Sequence, residues 1–501
     1  MPEAGPSRPP ANLIGGTWMG IPGDAVVSRD PSAPERVVWS GGAVMEHVDE
    51  AVAAGRAAWP AWRGAGFDAR ADVLRRFAQA CAAHGERLAR TITAEMGKTL
   101  AESRAEAKLL QDKVAITLEP STLSRVRDFE VDAGAGRRGA CRFRPLGVMA
   151  VVGPFNFPAH LPHGHWVPAL LLGNTVVFKP SDRTPATGQV LGEIAVEAGL
   201  PAGVFNVVQG GADVSERLVG HPEIDGVLFT GSFPVGRRIL EMNLDRPGRM
   251  IALEMGGSNA AIVWKDADLR RAVIECVRGA YATTGQRCTC TRRIIVHASL
   301  AERFITAFCK MASTAVVGAA HDAGPVFMGP VVSQAARQAV LDRQAALARS
   351  GGRVLLEAVA FDRPGWFVGP GLVQVERFDA ASDRETFGPL AQVSVVKDLD
   401  EAIRQANATD FGLVASVFTG ETTVWRSCVD GLRVGCLNRN TGTAGASSRL
   451  PFGGLGRSGN LRPAGSFAVD LAAFPLATLE DPTPDTAAPV GVQVDPRWFG
   501  G

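Results

Sequence analysis

The stretch VMAVVGPFNFPAHLPHGHWVPALLLGNTVVFK, residues 148–179, decides the fold class of this chain. It begins with the apolar run VMAVV (148–152) and ends with the β-branched run TVVFK (175–179), with room for a helix between them. Two short apolar strands joined by such a crossover are typical of a βαβ unit, in which both strands are parallel members of one sheet. The stretch therefore predicts an α/β fold.

The alternation of strand-like and helical segments continues on both sides of this stretch. Upstream, residues 47–119 have helical periodicity, with apolar residues four apart forming stripes among charged ones. Downstream, residues 266–282 have the pattern of a helix, and the chain to about residue 457 mixes both patterns, which predicts a second α/β domain. The other strand-like runs are VFNVV (204–208), VLFT (227–230), MIALE (250–254) and AAIVW (260–264).

The composition limits the classes of function. Of 501 residues, 46% are hydrophobic and 21% charged, the profile of a globular protein long enough for more than one domain. Lysine and arginine number 52 against 51 acidic residues, which argues against a nucleic-acid partner. The apolar run 167–178 is too short for a membrane span, and the N-terminus lacks a signal-peptide pattern. Because the eight cysteines are spaced too irregularly for a disulfide framework, we expect a cytoplasmic protein with reduced thiols and no membrane partner.

Three motifs suggest a phosphate or metal site, and for each the sequence favours another explanation. GLGRSG (454–459) matches the dinucleotide fingerprint but follows a loop instead of a strand, so we interpret it as a structural turn. GSFPVG (231–236) has P-loop glycine spacing, but Arg237 and Arg238 replace the residues that bind phosphate and magnesium. The histidines of HLPHGH (160–165) lack further ligands at zinc spacing. We therefore expect neither an NTPase nor a metal site.

Three side chains have the chemistry of an active site. Cys288 lies beside Arg287, and a thiolate near a cation is a strong nucleophile, although a lone cysteine is more often buried and inert. Glu254 ends an apolar strand at the edge where α/β proteins bind ligands, and burying a carboxylate without a function is costly. Asn156 follows another strand and could donate to an oxyanion, although alone it is more often a turn residue.

Eight stretches that include these residues resemble the motifs of the aldehyde dehydrogenase superfamily, in that family's order. The resemblance extends from about residue 12 to residue 479. The stretches are EMGK (95–98), GPFNFP (153–158), GNTVVFKPSDRTP (173–185), FTGSFPVG (229–236), LEMGG (253–257), GQRC (285–288), ETFGPL (385–390) and PFGGLGRSG (451–459). So many ordered matches favour the functional interpretation of the three side chains over the structural one.

The resemblance implies roles for individual residues. Cys288 corresponds to the catalytic nucleophile, Glu254 to the general base and Asn156 to the oxyanion-hole amide. The implied cofactor is NAD, because Asp182 stands where NAD-preferring members usually have glutamate, and a carboxylate there repels a 2′-phosphate. The implied cofactor-binding residues are Lys179 and Asp182 at the adenine-side ribose, Gly231, Ser232, Phe233, Pro234, Val235 and Gly236 at the pyrophosphate, and Glu385 and Phe387 at the nicotinamide ribose and ring.

The resemblance also implies the domain organisation. We expect a Rossmann-like NAD-binding domain, a second α/β catalytic domain and a small β arm that joins the subunits of a homodimer or homotetramer. The expected ranges are 12–126 and 146–256 for the NAD-binding domain, 257–457 for the catalytic domain, 127–145 (a hairpin) and 458–479 for the oligomerisation elements, and 1–11 and 480–501 for irregular tails.

Within the superfamily, residues 156–185, 252–257, 283–293 and 444–454 most resemble the branch that oxidises N-succinylglutamate 5-semialdehyde in arginine catabolism. The carboxylates of such a small-molecule substrate need cationic or hydrogen-bonding partners. The candidates are His160, His163, Arg439 and Arg449. A different aldehyde, of aliphatic or betaine type, stays an alternative, as does a non-catalytic scaffold on the same fold.

The resemblance implies a reaction in two stages. The Cys288 thiolate attacks the aldehyde, and hydride transfer to NAD leaves a thioester on the cysteine. Glu254 then activates the water that hydrolyses this thioester. An acylating dehydrogenase that uses coenzyme A would be expected to lack this glutamate, so the expected product is the free carboxylate.

Overall fold

The structure, a computed structural model, describes residues 4–381, 383–482 and 486–500. The helical pattern of residues 47–119 forms four long helices. The apolar stripes of the last three are buried in one core with one face of a parallel sheet, whereas Val48, Ala51 and Val52 of the first helix are buried against the other face. The hairpin predicted in 127–145 is also present. The elements are strands β1 (Ala11–Ile14), β2 (Thr17–Gly20), β3 (Val26–Asp30) and β4 (Ala33–Gly41), helices α1 (Glu46–Gly64), α2 (Phe67–Ala83), α3 (Gly85–Met96), α4 (Leu100–Thr117) and α5 (Pro120–Leu123), and hairpin strands β5 (Phe129–Asp132) and β6 (Arg138–Pro145).

The stretch 148–179 forms the predicted βαβ unit within a seven-stranded sheet. The elements that follow the hairpin are strands β7 (Val148–Val152), β8 (Thr175–Lys179), β9 (Phe205–Val207), β10 (Gly226–Thr230) and β11 (Met250–Glu254), and helices α6 (His160–Leu171), α7 (Pro185–Glu197), α8 (Ala212–Gly220) and α9 (Phe233–Glu241). The strand order is β11-β10-β7-β8-β9-β1-β2, and β7 to β11 are parallel. Because β7 has β8 on one side and β10 on the other, the strand order reverses there and a crevice opens beyond the carboxyl ends.

A second seven-stranded sheet, in the order β14-β15-β16-β13-β12-β18-β19, follows the first along the chain. Its elements and their neighbours are strands β12 (Asn259–Val263), β13 (Thr291–His297), β14 (Arg353–Leu356), β15 (Gly371–Gln374), β16 (Leu390–Val396), β17 (Phe411–Gly412), β18 (Val414–Phe418) and β19 (Cys436–Arg439), and helices α10 (Leu269–Tyr281), α11 (Ala298–Ser313), α12 (Gln334–Arg349), α13 (Leu399–Ala406) and α14 (Thr422–Gly431). All its pairs are parallel except β14 with β15. The α/β class is therefore confirmed.

The strand-like run AAIVW (260–264) belongs to this second sheet, whereas MIALE (250–254) ends the first. The chain passes between the sheets through Gly256 and Gly257, which are both buried. A Cβ at Gly256 would overlap the carboxylate of Glu385, so only glycine permits this close approach. The passage brings the carboxyl end of β11 next to the start of β12.

The C-terminal elements return to the first half of the chain. They are strands β20 (Pro451–Phe452), β21 (Leu455–Gly456), β22 (Ala464–Gly465) and β23 (Ala473–Glu480). Strand β21 pairs with β17, and Gly456 has a φ of +58°, so GLGRSG (454–459) contains a short strand and a turn, without a helix after it. Strand β23 adds to the hairpin as the third strand of a small sheet, on which Phe474 is 62% exposed. A role of this sheet in oligomerisation stays a prediction.

Candidate active site

Two cavities meet at Cys288. The larger, of about 580 Å³, lies beyond the carboxyl ends of β7, β8 and β10. The smaller, of about 180 Å³, lies on the other side of the thiol, between α4, α6 and the C-terminal loops. Both are lined by Leu161, Thr230, Met255 and Cys288. A group bound in either cavity can therefore approach the same sulfur atom.

The loop before Cys288 has an unusual backbone. Thr283 and Thr284 each have a φ of +54°, and Gly285 has a φ of +68°. A left-handed conformation costs a β-branched residue on the order of 1–3 kcal/mol, so the surroundings must hold it. The Glu102 carboxylate of α4 accepts hydrogen bonds from the Thr283 amide at 2.8 Å and from the Thr283 hydroxyl at 2.7 Å. Sequence reasoning did not identify Glu102, which lies far along the chain from this loop.

The backbone at Cys288 is held from the other side by Asn259. Its amide donates to the carbonyl of Cys288 at 2.7 Å and to that of Cys290 at 2.8 Å. Cys290 is fully buried and lines neither cavity, unlike Cys288. Burial, assisted by Glu385 and Glu254, raises the pKa of the Cys288 thiol to about 12. Without ligands the thiol is thus protonated at neutral pH and needs a base or a favourable electrostatic partner to react.

Glu254 lies at the end of β11 and on the wall of the smaller cavity, with Cys288. Its side chain is buried, and Oε2 has no hydrogen-bond partner among the described residues. Burial raises the pKa of this carboxyl well above its usual value, against a smaller opposing effect of the Ala464 amide. A buried carboxylate with a free oxygen beside a cavity is suited to accept a proton from water.

Asn156 follows β7 and donates from its side-chain amide to the Gln286 carbonyl at 3.0 Å. It therefore lies against the loop of residues 283–288 that ends at the nucleophile candidate, which we call the cysteine loop. Lys98 donates to the main-chain carbonyl of Asn156 at 3.1 Å and forms a fully buried ion pair with Glu106. Glu106 also accepts a hydrogen bond from the His160 amide at 3.0 Å. This buried pair therefore holds both ends of the segment that carries the oxyanion-hole candidate.

The larger cavity contains the residues predicted for the adenine side of the cofactor. Lys179 ends β8 and donates to the Pro180 carbonyl at 2.8 Å, and burial lowers the pKa of its ammonium group to about 8. Asp182 lines the same cavity, as expected. Arg183 lines it too, and sequence reasoning did not consider this residue. Its cation next to Asp182 offsets part of the repulsion expected for a 2′-phosphate.

Only part of the predicted pyrophosphate turn lines the cavity. Gly231, Ser232 and Val235 do so, and Ser232 immediately precedes α9. Three of the residues predicted at the pyrophosphate do not line the cavity: Phe233, Pro234 and Gly236. A Cβ at Gly236 would overlap the sulfur of Met255, so this glycine serves the packing of α9 on the sheet.

The nicotinamide-side candidates both line the larger cavity. Glu385 accepts a hydrogen bond from the Gly257 amide at 2.9 Å, and burial raises the pKa of its carboxyl while Arg292 opposes the shift. Phe387 packs edge-on against Phe155, with ring centroids 5.7 Å apart. The two residues approach the region next to Cys288 from the second half of the chain.

The substrate candidates do not all reach the smaller cavity. His160 lines it, with Leu161, Gly164 and His165 as the same face of α6. His163 points to the other face, fully buried and stacked on Phe77 at 5.8 Å. The expectation that His163 contacts the substrate is therefore corrected, because helical geometry turns it away from the residues at 160 and 164.

The two candidate arginines have other partners. Arg439 donates to the carbonyls of Thr419 and Gly420, at 3.3 and 2.8 Å, and does not line the cavity, which corrects the expectation for this residue. Arg449 follows the cavity-lining residues 447–448 but forms an exposed ion pair with Glu119. Its guanidinium is thus outside the cavity wall. Both arginines lie in or next to loops. No pattern in the sequence indicates the direction of a side chain there.

Two cations that sequence reasoning missed line the smaller cavity. Lys113 comes from α4, and Arg287 comes from the cysteine loop. Arg287 donates to Thr283 at 2.7 Å and to Glu102 at 3.2 Å. The position of Arg287 next to the nucleophile could have indicated its place, whereas Lys113 carries no local signal.

Within the described ranges, no three histidine, cysteine, aspartate or glutamate residues group as metal ligands. No helix of the described chain is both long and apolar enough to cross a membrane.

Known proteins resemble this chain over most of its length. A model of the aldehyde dehydrogenase family matches residues 21–472. The N-succinylglutamate 5-semialdehyde dehydrogenase of Novosphingobium aromaticivorans is 40% identical over 470 residues, which are 94% of this chain and 99% of that protein. The protein of the same name from Vibrio cholerae is 41% identical over 490 residues, 96% of this chain and 99% of that protein.

Solved structures have the same fold. The NAD-dependent aldehyde dehydrogenase of Sinorhizobium meliloti superposes with a TM-score of 0.91 at 28% identity, covering 97% of both chains. An NADP-dependent enzyme of E. coli superposes with a TM-score of 0.90 at 31% identity, covering 94% of this chain and 98% of that chain. The fold thus serves either cofactor, and the preference depends on individual residues of the cavity.

Proposed function

The chain belongs to the aldehyde dehydrogenase family, and we propose that it oxidises N-succinylglutamate 5-semialdehyde to N-succinylglutamate with NAD as the oxidant. The observation that carries the oxidation chemistry is the position of Cys288 where the two cavities meet. The substrate is supported by relatives of about 40% identity that bear this name. It is also supported by the cations of the smaller cavity, which suit an aldehyde that carries carboxylates.

The larger cavity fits a dinucleotide. Its volume of about 580 Å³ extends from Lys179 and Asp182 to Glu385. Ser232, at the N-terminus of α9, lines it, and the positive end of a helix dipole favours the negative charge of a pyrophosphate. NAD, when bound there, supplies the acceptor for the hydride that leaves the substrate carbon. Lys179 and Asp182 would hold the adenine-side ribose, and Glu385 would hold the nicotinamide-side ribose.

Carbon–sulfur bond formation begins the reaction. The thiol of Cys288 releases its proton to solvent, directly or by way of the Glu254 carboxylate, and the thiolate attacks the aldehyde carbon while the carbonyl electron pair moves to oxygen. The Asn156 amide donates to the oxyanion that forms. After hydride loss, the re-formed carbonyl is a thioester of Cys288.

Glu254 completes the reaction as a base. Its carboxylate accepts a proton from water, the water oxygen attacks the thioester carbon, and the carbon–sulfur bond breaks to return the thiolate. The carboxylate form is required for this step. Because burial raises the pKa of Glu254, and that of Cys288 to about 12, both groups deprotonate more fully as the pH rises, so kcat/KM for an uncharged aldehyde should increase with pH above neutrality.

Turnover with a panel of aldehydes tests the proposal. Formation of NADH is followed with N-succinylglutamate 5-semialdehyde, with a short aliphatic aldehyde and with betaine aldehyde, each with NAD and with NADP. We expect the highest kcat/KM for the first aldehyde with NAD. A higher kcat/KM for an aliphatic or betaine aldehyde would overturn the proposed substrate, and equal kcat/KM with NADP would overturn the proposed cofactor.

The proposal includes a homodimer or homotetramer in the cytoplasm. Apolar side chains on the small sheet of β5, β6 and β23, such as Phe129, Phe474 and Leu479, are each more than half exposed and suit a subunit contact. Sedimentation of the purified chain measures the oligomeric state. A monomer at micromolar concentration would overturn this part of the proposal.

A further inference from the structure

The smaller cavity contains a lysine that takes no part in the bond-making and bond-breaking steps proposed above. Lys113 lies on α4, and only 3% of its surface is exposed. Its ammonium group donates to the Gly465 carbonyl at 2.7 Å, which satisfies one of its three donors. Among the described residues it forms no ion pair. A buried ammonium group without a carboxylate is costly, so its presence on a cavity wall requires an explanation.

The other basic groups on this wall are already neutral or compensated. Arg287 is paired with Glu102 at 3.2 Å. Burial lowers the pKa of His160 to about 4, so this imidazole is uncharged at neutral pH. Among the described residues that line the cavity, Lys113 is thus the cation without a counter-charge.

We propose that Lys113 binds a carboxylate of the aldehyde substrate and thereby selects aldehydes that carry one. This proposal rests on the proposed function and specifies which residue recognises the substrate. The remaining donors of the ammonium group would bind the carboxylate, and the substrate would supply the missing counter-charge. The hydroxyl residues Ser447 and Ser448 line the same cavity and could donate to further oxygens. An uncharged aldehyde would leave the ammonium group buried without a partner.

The protonation of Lys113 supports this assignment. Burial lowers the pKa of its ammonium group to about 8, and a bound carboxylate would raise it again. KM for a carboxylated aldehyde should therefore rise as the pH increases through about 8 in the free enzyme. Other titratable groups face the cavity, namely His160, His165, Glu254, Cys288 and Arg287, and burial lowers the pKa of His165 to about 4, as it does for His160. The effects of these groups cancel when KM for the carboxylated aldehyde is divided by KM for an uncharged aldehyde at the same pH.

The experiment compares two aldehydes of equal chain length, 4-oxobutanoate and butanal, alongside N-succinylglutamate 5-semialdehyde. In Lys113→Met the ratio of kcat/KM for the carboxylated aldehydes to that for butanal should fall about 10- to 100-fold, the range of a lost charge-assisted hydrogen bond. Lys113→Gln keeps a donor for the Gly465 carbonyl and should show a similar fall in this ratio. It replaces Lys113→Met in the experiment if that variant does not fold. Lys113→Arg should restore part of the ratio.

A matched control lies on the same helix. Lys108→Met removes a lysine from the solvent face of α4, where Lys108 pairs with Asp112, and should leave the ratio unchanged. An equal loss with all three aldehydes would assign Lys113 a structural role and overturn the proposal, as would an unchanged ratio in Lys113→Met. The proposed function fails separately, if the wild type does not oxidise N-succinylglutamate 5-semialdehyde while 4-oxobutanoate still shows the Lys113 effect.

Discussion

The two cavities that meet at Cys288 are built in different ways. The larger is lined mainly by short motifs at the carboxyl ends of neighbouring strands, such as Gly153–Asn156, Lys179–Arg183 and Phe229–Ser232. The smaller is assembled from one side each of α4 and α6, the cysteine loop and two C-terminal loops. The larger cavity can thus be recognised in contiguous stretches of sequence, whereas the smaller one depends on which helix faces point inward.

The largest effect is expected at the residue that both cavities share. Cys288→Ala should lower turnover by at least about 10⁴-fold, because the nucleophile is absent, as for other covalent catalysts. NAD binding, measured by calorimetry, should persist, because the larger cavity is otherwise intact. Cys290→Ala is the matched control, since Cys290 lies outside both cavities, and it should retain turnover. The opposite pattern for the two cysteines would remove Cys288 from the role of nucleophile.

The next largest effect is expected at Glu254, whose proposed role in hydrolysis follows hydride transfer. A variant at this position should therefore separate the two stages in time. Glu254→Gln keeps the shape of the side chain but cannot accept a proton, so steady-state turnover should fall about 10²–10⁴-fold. The first turnover should still release up to one NADH per active site, measured by stopped flow. If Glu254 also deprotonates the thiol, the burst slows at neutral pH and recovers at higher pH, because the raised pKa of Cys288 makes the thiolate scarce until the pH rises. A burst absent at both pH values would contradict the role of hydrolytic base.

A smaller effect is expected where the scaffold supports the thiol. Glu102→Ala removes the acceptor for Thr283 and the partner of Arg287. The left-handed loop should then relax and misplace Cys288, lowering kcat about 10- to 100-fold. Thermal unfolding should also show a loss of stability, of about 1–3 kcal/mol for the unpaired groups. Glu86→Ala breaks exposed ion pairs with Arg90 and Arg104 and should leave kcat unchanged. An unchanged kcat in Glu102→Ala would show that the loop before Cys288 keeps its conformation without this carboxylate.

The smallest effect concerns cofactor choice in the larger cavity. Asp182→Ser should narrow the difference in kcat/KM between NAD and NADP by about fivefold or less, because exposed charges interact weakly. Arg183→Ser is the paired variant and should widen the difference, since it removes the cation next to Asp182. Added salt should reduce the effect of both substitutions on the difference in kcat/KM between NAD and NADP. If Asp182→Ser left the ratio of kcat/KM for the two cofactors unchanged, the preference would have to come from elsewhere in the cavity.

The sequence by itself determined the α/β class, the strands between residues 148 and 264 and the residues at the ends of those strands. Periodicity and the positions of Glu254 and Asn156 after strands depend on neighbours in the chain, and local sterics and burial act over such distances. Even within these motifs, whether Phe233 and Gly236 face the cofactor or the sheet was not visible, because α9 sets their direction.

Only the tertiary structure decided which residues line the smaller cavity. The packing of α4 against α6 turns Lys113 and His160 inward and His163 toward Phe77, and loop contacts hold Arg439 and Arg449 elsewhere. The left-handed threonines before Cys288 are likewise held by residues distant in sequence, since Thr283 donates to Glu102 and Thr284 donates to the Gly329 carbonyl. Residues far apart in sequence meet in these places through packing. The short-range patterns of a single sequence do not specify how one helix is rotated against another, because that rotation depends on the side chains of both helices.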